Sequence, residues 1–450
     1  MTNEECEAEI RRWFETNLGA QVTRIERQGR WRPAWYVDAD KGGEALQCYV
    51  RGERTESFLP YGLQREHTIH ELLEEGGVRV AHIYGFIDDL PGTVMARVSG
   101  APNLGTSDNE TNRQSVLHQL AEQMTLMHRL DPRPFAEAGL DLAQEPRAVT
   151  LSLFQDFYDN YAKRRTRPDP GLEFASQWVL RNAPQASEPA CYIACDAGQF
   201  LFEDDRLTAM MDFELSALGD PMMDLAAMRI RGQWEDLGHL PDFYKLYEQT
   251  SGRPVELEKV RFHTAAFSLS GALASAICME QFLAEPSPNA DYVEYQSWVI
   301  WELKQALEAI GECMGLTLAM PQLPEPAATH SSEAIFALKA ALDADPASDE
   351  IGAYHRRVQK SIAEHLDLLS QYGAAFDKAY LADAEQLLGK PVQSTGEADR
   401  LLEDLVMKSG NELDEALLRA LHARTCRQGY LLAVPGSYYI KGLTELLIPI

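Results

Sequence analysis

The spacing of apolar residues predicts a chain in which short strands come first and helices follow. Apolar residues recur at helical spacing from Ile10 to Leu18, just ahead of Gly19, so we expect a helix that ends at that glycine. Short apolar runs of strand type come next, with one helix among them. The predicted strands are residues 20–25, 34–37, 46–50 and 93–98, and the predicted helix is residues 63–74.

The last third of the chain is predicted to be helical, beyond a proline-rich stretch. Residues 319–332 contain three prolines within six residues, which excludes a helix and predicts a linker. Helical spacing then recurs in residues 332–343, 351–373, 397–408 and 412–428, with breaks at Pro346 and at 389–391. We therefore predict the following segments: an N-lobe 1–98, a C-lobe 99–318, a linker 319–332 and a helical domain 333–450.

Composition and charge restrict the partners that the chain can have. Its 450 residues, 45% of them hydrophobic, can build more than one core. A formal net charge of −28 repels nucleic acid and anionic membranes, so we expect neither as a partner. The longest uncharged run, residues 264–279, is too short to span a membrane.

The cysteines and the first residues predict a cytoplasmic protein. Seven scattered cysteines do not suggest a disulfide framework. The first residues are acidic and lack the apolar segment of a signal peptide.

Two carboxylates that follow a short apolar run are the clearest candidate chemistry. Residues 207–211 read as a buried strand, and Asp212 and Glu214 come directly after it, so both side chains leave on the same side. Magnesium takes one or two protein carboxylates together with nucleotide phosphates. The pair therefore predicts a magnesium site, although the same acids would also suit the cap of a following helix.

The segment that starts at Asp212 also carries a family resemblance. DFELSALGDPMMDLA resembles D-W-E-x-A-x-x-G-D-P-x-x-D-L-A of the aminoglycoside phosphotransferase-like family, the small-molecule relatives of protein kinases. The resemblance implies an α+β, protein kinase-like two-lobe fold, with an antiparallel-sheet N-lobe and a mainly helical C-lobe. It also implies ATP and Mg²⁺ as cofactors. Asp212 would chelate the metal with support from Glu214, while Asp220 and Asp224 would anchor the catalytic loop.

The catalytic loop departs from the family pattern, and two alignments are possible. The family carries H-G-D-x-x-x-x-N, in which the Asp orients the acceptor hydroxyl and the Asn binds magnesium. Here Gln199 stands at the Asn position in both alignments. An ungapped alignment places Ala194 at the Asp position and describes an inactive site. A gapped alignment makes Asp196 the catalytic acid and shortens the loop by two residues; we favour it because Cys195 keeps a small residue before the acid.

Other segments resemble the nucleotide-binding parts of the same family. CYVRGER puts Arg51 in the role of the phosphate-binding cation, and QREHTIHELL points to Glu66 as its charge partner. TVMARVSG resembles the family hinge, so Met95 to Val98 would border the adenine.

A phosphate-covering loop is expected at residues 28–33. Its Arg30 and Arg32 would either add charge at the nucleotide phosphates or bind an anionic substrate. LAEQMTLMHRLDP resembles a family helix that ends L-H-x-L-D-P, and we interpret its His128 as a packing residue.

The helical tail resembles, around residues 418–422, a small helical domain found beside or fused to phosphotransferases of the acyl-CoA dehydrogenase-associated branch. That resemblance implies phosphorylation of a hydroxyl group, that of a hydroxyacyl-CoA, and association with an acyl-CoA dehydrogenase-type enzyme. Two other hypotheses stay open. The ungapped alignment favours a pseudokinase that binds nucleotide or CoA as a regulatory module. The acidic surface would suit an aminoglycoside-type antibiotic kinase, because its acceptors are cationic.

Overall fold

The protein forms two compact units. The structure is a computed structural model, and it describes residues 2–29, 32–54, 59–285, 291–327, 329–344, 350–437 and 439–450. Unit 1 comprises Met1–Ser152 and Ala186–Val255, and unit 2 comprises Leu153–Gln185 and Glu256–Ile450. These bounds differ from those expected at residues 98, 318 and 332, so the division into lobes, linker and helical domain stays a prediction.

Unit 1 begins with a helix and an antiparallel sheet of five described strands. Helix α1 (Asn3–Trp13) continues into a π-helical turn at Phe14–Leu18. The strands are β1 (Gln21–Arg27), β2 (Ala34–Lys41), β3 (Glu44–Gly52), β4 (Ile83–Ile87) and β5 (Gly92–Ala96), in the order β1-β2-β3-β5-β4, with α2 (Leu63–Glu75) between β3 and β4 in the chain. The predicted helices and strands in this region are confirmed.

The alternation of side chains along β3 determines which of them face the apolar cluster of the N-terminal sheet. Cys48 and Val50 are fully buried in a cluster that also contains Ile10 and Trp35. Because successive side chains of a strand point to opposite faces, Arg51 leaves β3 on the face away from that cluster. The charged side chain of Arg51 therefore lies outside this apolar cluster, on the opposite face of the sheet.

The rest of unit 1 consists of helices and two small antiparallel sheets. Strand β6 (Cys191–Ile193) pairs with β9 (Ala217–Gly219), and β7 (Phe200–Glu203) pairs with β8 (Arg206–Met210). The helices α3 to α8 are Glu110–Met127, Pro132–Glu137, Pro146–Arg164, Pro170–Asn182, Met222–Arg231 and Leu240–Ser251. Of these, α6 and the part of α5 from Leu153 onward belong to unit 2. The predicted α+β class is confirmed, because the five-stranded sheet comes first in the chain and most of the helices follow it.

Unit 2 contains helices and no strand among its described residues. Besides α6 it contains α9 (Leu257–Ala284), α10 (Tyr292–Cys313), α11 (Ser331–Ala344), α12 (Glu350–Leu388), α13 (Thr395–Lys408), α14 (Asp414–Leu432) and α15 (Ile440–Thr444). Residues 316–327, in the proline-rich stretch, form neither helix nor strand. The break expected at 389–391 is confirmed by the end of α12, whereas Pro346 lies outside the described residues.

Helix α9 contains the longest uncharged run of the sequence. The helix extends beyond that run to 28 residues and is long and apolar enough to cross a membrane by length and composition. Of its most apolar window, 94% is buried inside the protein. Such burial is typical of a helix in a protein core. The cytoplasmic location stays a prediction.

Candidate functional site

The loop of residues 194–199 follows β6 and is held by a buried carboxylate of α7. Asp224 accepts hydrogen bonds from the backbone N–H groups of Ala194 and Cys195, at 3.2 and 2.7 Å. The two residues that Asp224 holds are the two that precede Asp196. Asp224 thereby fixes the point at which Asp196 leaves the loop.

His128 supports Asp224 from the opposite direction. Its ring Nε2 lies 2.9 Å from Asp224 Oδ2, and its Nδ1 lies 2.7 Å from the Tyr247 hydroxyl. All three groups are buried, so the ring takes part in a closed hydrogen-bonded chain. Asp220, by comparison, accepts a hydrogen bond from the Met222 N–H at the start of α7.

The backbone at Cys195 favours one of the two loop alignments. Cys195 has φ of 66°, in the left-handed region where glycine is the least strained residue. The gapped alignment puts the family glycine at this position. The ungapped alignment puts that glycine at Ile193, which lies in the extended strand β6. The observed backbone therefore supports the gapped alignment, in which Asp196 corresponds to the catalytic acid.

Gln199 connects the two acids that the sequence predicted for catalysis and metal binding. Its Nε2 lies 2.6 Å from Asp196 Oδ2 and 3.1 Å from Asp212 Oδ2. Both carboxylates have 22% of their side chains exposed, so solvent and ligands can reach them. The structure thus brings Asp196, Gln199 and Asp212 together as one group, called here the acidic group.

Arg231, at the end of α7, holds the other side of Asp196. Its Nη2 lies 2.9 Å from each carboxylate oxygen of Asp196. A Cβ at Gly198 would stand 2.6 Å from Arg231 Cδ, so the glycine leaves room for the arginine to pass. Sequence reasoning missed Arg231, because it lies 35 positions from Asp196 and outside the quoted motifs.

Arginines and carboxylates form a second set beside the acidic group, called here the arginine cluster. It consists of Arg32, Arg51 and Arg54 with Glu66 and Glu214. Arg51 is its centre: Nε lies 3.0 Å from Glu66 Oε1, and Nη2 contacts both Glu214 and Asp212. The sequence expected Arg51 to pair with Glu66, and the structure contains that contact.

Both oxygens of Glu214 are directed at arginines. Oε2 lies 2.6 Å from Arg32 Nη1 and 3.2 Å from Arg51 Nη2, and Oε1 pairs with Arg54. Glu214, predicted to support the metal, therefore lies in the arginine cluster, and it shares Arg51 Nη2 with Asp212 of the acidic group. The adjacent Phe213 is buried edge-on against His70 of α2, with ring centres 5.5 Å apart, which fixes this turn to the helix that carries Glu66.

The charges of the cluster are set by burial and by close neighbours. Burial opposes the charge of Arg51, but Asp212, Glu66 and Glu214 outweigh it and raise the pKa of Arg51 well above its usual range. Burial raises the pKa of Glu66, against the opposing effect of Arg51. Arg51 is therefore a permanent cation that bridges both sets of carboxylates.

The remaining predicted residues lie on β5 and in the segment after it. Met95 pairs with Tyr49 in β3, and Val98 follows the end of β5. The chain then crosses to β7, where Ala101 and Phe202 exchange backbone hydrogen bonds of 2.8 and 3.1 Å. Arg30 of the expected phosphate-covering loop lies outside the described residues.

The acidic group has the donor chemistry that magnesium requires. Asp212 offers a carboxylate, and the Gln199 side-chain amide offers an oxygen once the amide turns by half a rotation. Asp212 also has φ of 66°, and a non-glycine residue in that region costs about 1–3 kcal/mol. These residues fit a hard divalent cation, provided that Arg51 gives up its contact with Asp212.

Comparison with known proteins agrees with this geometry. Residues 28–263, just over half of the chain, match the phosphotransferase enzyme family. The chain belongs to this family. Its fold is also similar to that of a solved protein from Ralstonia eutropha assigned to the aminoglycoside phosphotransferases, with a TM-score of 0.51, 18% identity, and coverage of 68% of this chain and 98% of that one. The kinase-like fold predicted for this phosphotransferase-family chain is thereby confirmed.

Sequence relatives of this phosphotransferase-family chain point to longer proteins. Acyl-CoA dehydrogenase family member 11 of Mus musculus is 25% identical over 228 residues, which are 46% of this chain and 28% of the relative. The protein of the same name from Rattus norvegicus is 24% identical over 226 residues, with the same coverage. The matched region is therefore less than a third of those relatives.

Proposed function

We propose that the chain is an ATP- and magnesium-dependent phosphotransferase that transfers phosphate to a hydroxyl group of a small molecule. One observation carries this proposal: the Gln199 amide lies within hydrogen-bonding distance of both Asp196 and Asp212. Phosphoryl transfer needs an acid at the acceptor and metal ligands at the phosphate, held close together. The acidic group supplies both: Asp196 and Gln199 lie in the loop 194–199, and Asp212 lies just after β8.

Asp196 has the role of orienting the acceptor hydroxyl and accepting its proton. Arg231 grips both oxygens of Asp196, and Asp224 holds the backbone just before it. Such support matters, because a misplacement of about 1 Å can cost roughly a hundredfold in rate. The shortened loop is therefore compensated by two side chains from α7.

Asp212 and Gln199 have the role of holding magnesium, and Arg51 that of holding the nucleotide phosphates. Bound magnesium would neutralise charge on the phosphates during transfer. Arg51 is already positioned by Glu66, so its guanidinium can move from Asp212 to a phosphate oxygen without losing that anchor. Met95 and Val98 have the proposed role of bordering the adenine.

For the acceptor we propose a hydroxyacyl-CoA. The support is the shared region with acyl-CoA dehydrogenase family member 11, together with the resemblance of the helical tail. An acyl-CoA dehydrogenase-type enzyme is then the proposed partner, because its chemistry would act on the same acyl chain. Both statements go beyond family membership and need the experiment below.

The test is release of ADP from the full chain with ATP, magnesium and a panel of hydroxyacyl-CoAs and aminoglycosides. We expect turnover with a hydroxyacyl-CoA, and a loss of roughly a hundredfold or more in both Asp212→Asn and Asp196→Ala. Asp204→Asn is the control, because Asp204 is an exposed turn residue with φ of 52° that asparagine also tolerates. Wild-type turnover no faster than that of the two variants would exclude the proposed activity.

A pseudokinase is the second candidate, and one observation favours it. Arg231 occupies both oxygens of Asp196 while Arg51 pairs with Asp212, so each acid of the acidic group already has a cationic partner. A chain that binds ATP and magnesium with unchanged affinity in Asp196→Ala, and that never releases ADP, would fit this candidate. Activity that survives Asp196→Ala but not Asp212→Asn would instead exclude the role given to Asp196.

A further inference from the structure

Unit 1 contains a cavity of about 270 Å³ beside the start of α2. It lies between the end of β3 and the first turn of that helix. Among the described residues its lining includes Arg32, Arg54, Arg65, Tyr61 and Glu214. Arg51, and Asp212 of the acidic group, are not among those lining residues. The Glu66 and Glu214 carboxylates lie between them, because both line the cavity and both contact Arg51.

The three arginines of the cavity wall are held in place. The side chains of Arg32 and Arg54 are only 2% and 8% exposed. Arg65 donates to the Ser216 carbonyl at 2.9 Å and stacks on Tyr61, 3.6 Å from its ring centre. Guanidinium groups fixed in this way lose little side-chain freedom when a ligand binds.

One guanidinium donor in this wall lacks an acceptor. Arg65 Nε is buried and forms no hydrogen bond within the part of the chain that the structure describes. A buried donor without a partner costs about 1–3 kcal/mol. A ligand that brings an acceptor oxygen would remove that cost.

Three glutamates line the cavity beside the three arginines, so the formal charges of the lining balance, but each carboxylate also has partners outside the cavity or in the backbone. Glu53 accepts the backbone N–H groups of Arg54 and Leu63, at 3.0 and 2.6 Å, so it serves as a cap for α2. Glu66 and Glu214 are shared with Arg51 outside the cavity. The cavity arginines therefore share their counter-ions with a fourth arginine.

Arg32 is buried close to Arg51. Burial and the nearby Arg51 lower the pKa of Arg32, although Glu66 and Glu214 oppose the change. An added anion would be attracted to this wall. The start of α2, a helix of 13 residues, also directs the positive end of its dipole at the cavity through Gly62 and Leu63.

The size and chemistry of the cavity select a phosphate group. Planar guanidinium forks match the oxygens of phosphate in pairs. A cavity of about 270 Å³ has room for a phosphate or a diphosphate. Because the chain carries a net charge of −28, an anionic compound needs a local arginine site of this kind to bind at all.

We propose that this arginine-lined cavity binds a phosphate group carried by the acceptor. The inference rests on the proposed function and narrows the class of acceptor. The acceptor class is a hydroxyl compound that already bears phosphate, as acyl-CoA compounds do, and cationic antibiotics are excluded from it. The nucleotide phosphates bind elsewhere, at Arg51 and the acidic group.

The experiment measures coenzyme A binding to the full chain by calorimetry, in the presence of saturating AMP-PNP and magnesium. We expect Arg65→Gln and Arg54→Gln each to weaken coenzyme A binding at least tenfold and AMP-PNP binding less than threefold. Arg65→Lys keeps the charge but loses the fork, so its loss should be intermediate. Arg133→Gln, at an exposed arginine, is the matched control and should bind coenzyme A like wild type.

Two outcomes would overturn the proposal. One is coenzyme A affinity within twofold of wild type in Arg65→Gln and Arg54→Gln, and the other is AMP-PNP affinity that falls in parallel, since the cavity would then belong to the nucleotide. If Arg65→Gln fails to fold, as judged by thermal unfolding, Arg54→Gln and Arg65→Lys decide between these outcomes. If coenzyme A binding changes across the variants as expected but no ADP is released, the proposed phosphotransferase activity is excluded and the proposed phosphate site is supported.

Discussion

Backbone strain is concentrated at the candidate site. Outside glycine, φ is positive at Cys195, Asp204 and Asp212 within the described residues. Asp204 lies in the turn between β7 and β8, where such a conformation is ordinary. Of the other two, Cys195 precedes Asp196 and Asp212 belongs to the acidic group, which indicates that surrounding contacts hold the backbone there in a conformation that these residues do not prefer.

Replacement of Cys195 tests that strain directly. We expect Cys195→Gly to be more stable than Cys195→Ala by about 1 kcal/mol, because glycine adopts φ of 66° without a steric penalty. At an ordinary position the order is reversed, since glycine has the larger unfolded-state entropy. Urea unfolding of both variants measures the difference. Equal stability, or a more stable alanine variant, would contradict the strain.

Among individual residues, the sequence predicted those to which a motif assigns a role and missed the others. Asp212, Gln199 and Asp196 were found because they stand at fixed distances along the chain, and the structure places them in contact. Arg231 could not be found, because it lies outside the quoted motifs and its partner Asp196 is distant in the chain. Arg54 lies within CYVRGER but was missed, because nothing in that segment points to its distant partner Glu214.

Among the elements, α7 has the largest effect on the site, because both of its ends contact the catalytic loop. Asp224 in its first turn holds the backbone before Asp196, and Arg231 in its last turn holds the carboxylate itself. A helix is stiff over this length, so the two contacts move together. The position of Asp196 is therefore a property of α7.

Loss of the Asp224 anchor should destabilise the protein. Asp224→Ala leaves two buried backbone N–H groups and His128 without their acceptor, so we expect the free energy of unfolding to fall by about 3 kcal/mol or more. Asp224→Asn retains one oxygen and should lose less. The control is Asp131→Asn, an exposed helix cap where asparagine serves as well as aspartate. Chemical denaturation of all three variants checks the series, and a change in Asp224→Ala no larger than in the control would be inconsistent with an anchor.

Element prediction failed where glycine interrupts a pattern. Strand β4 was missed because Gly85 breaks its short alternation. Helix α12 was expected to end at Gly373, yet it continues to Leu388. A glycine inside a helix costs roughly 1 kcal/mol, and burial of Phe376 and Tyr380 beyond it outweighs that amount. Tertiary packing, which the local pattern does not contain, decided both cases.

The pH dependence of global stability should carry the signature of one buried carboxyl group. Burial, with Asp291 beside it, raises the pKa of Glu294 to about 7 from a usual value of 4.5, and Arg357 opposes the rise. The folded state then binds the proton more tightly than the unfolded state. The stabilisation from Glu294 is full below about pH 4.5 and is lost as the pH rises through 7.

Glu294→Gln should remove that contribution, since glutamine cannot titrate. We expect the difference in unfolding free energy between wild type and variant to change by on the order of 2 kcal/mol between pH 5 and pH 8, with wild type relatively more stable at the acidic end. Denaturant unfolding across this pH range measures the difference. Parallel profiles for the two proteins would mean that Glu294 titrates normally.

Helix α9 has a consequence for how the chain is made. It is apolar along a length that would suit a bilayer, and α10, the element that packs on it most extensively, is synthesised only after it. While α9 leaves the ribosome, the nascent chain displays a surface that insertion machinery recognises by hydropathy. Pairing with α10 buries this apolar surface, so α9 stays exposed to that machinery until α10 has been synthesised and has packed against it.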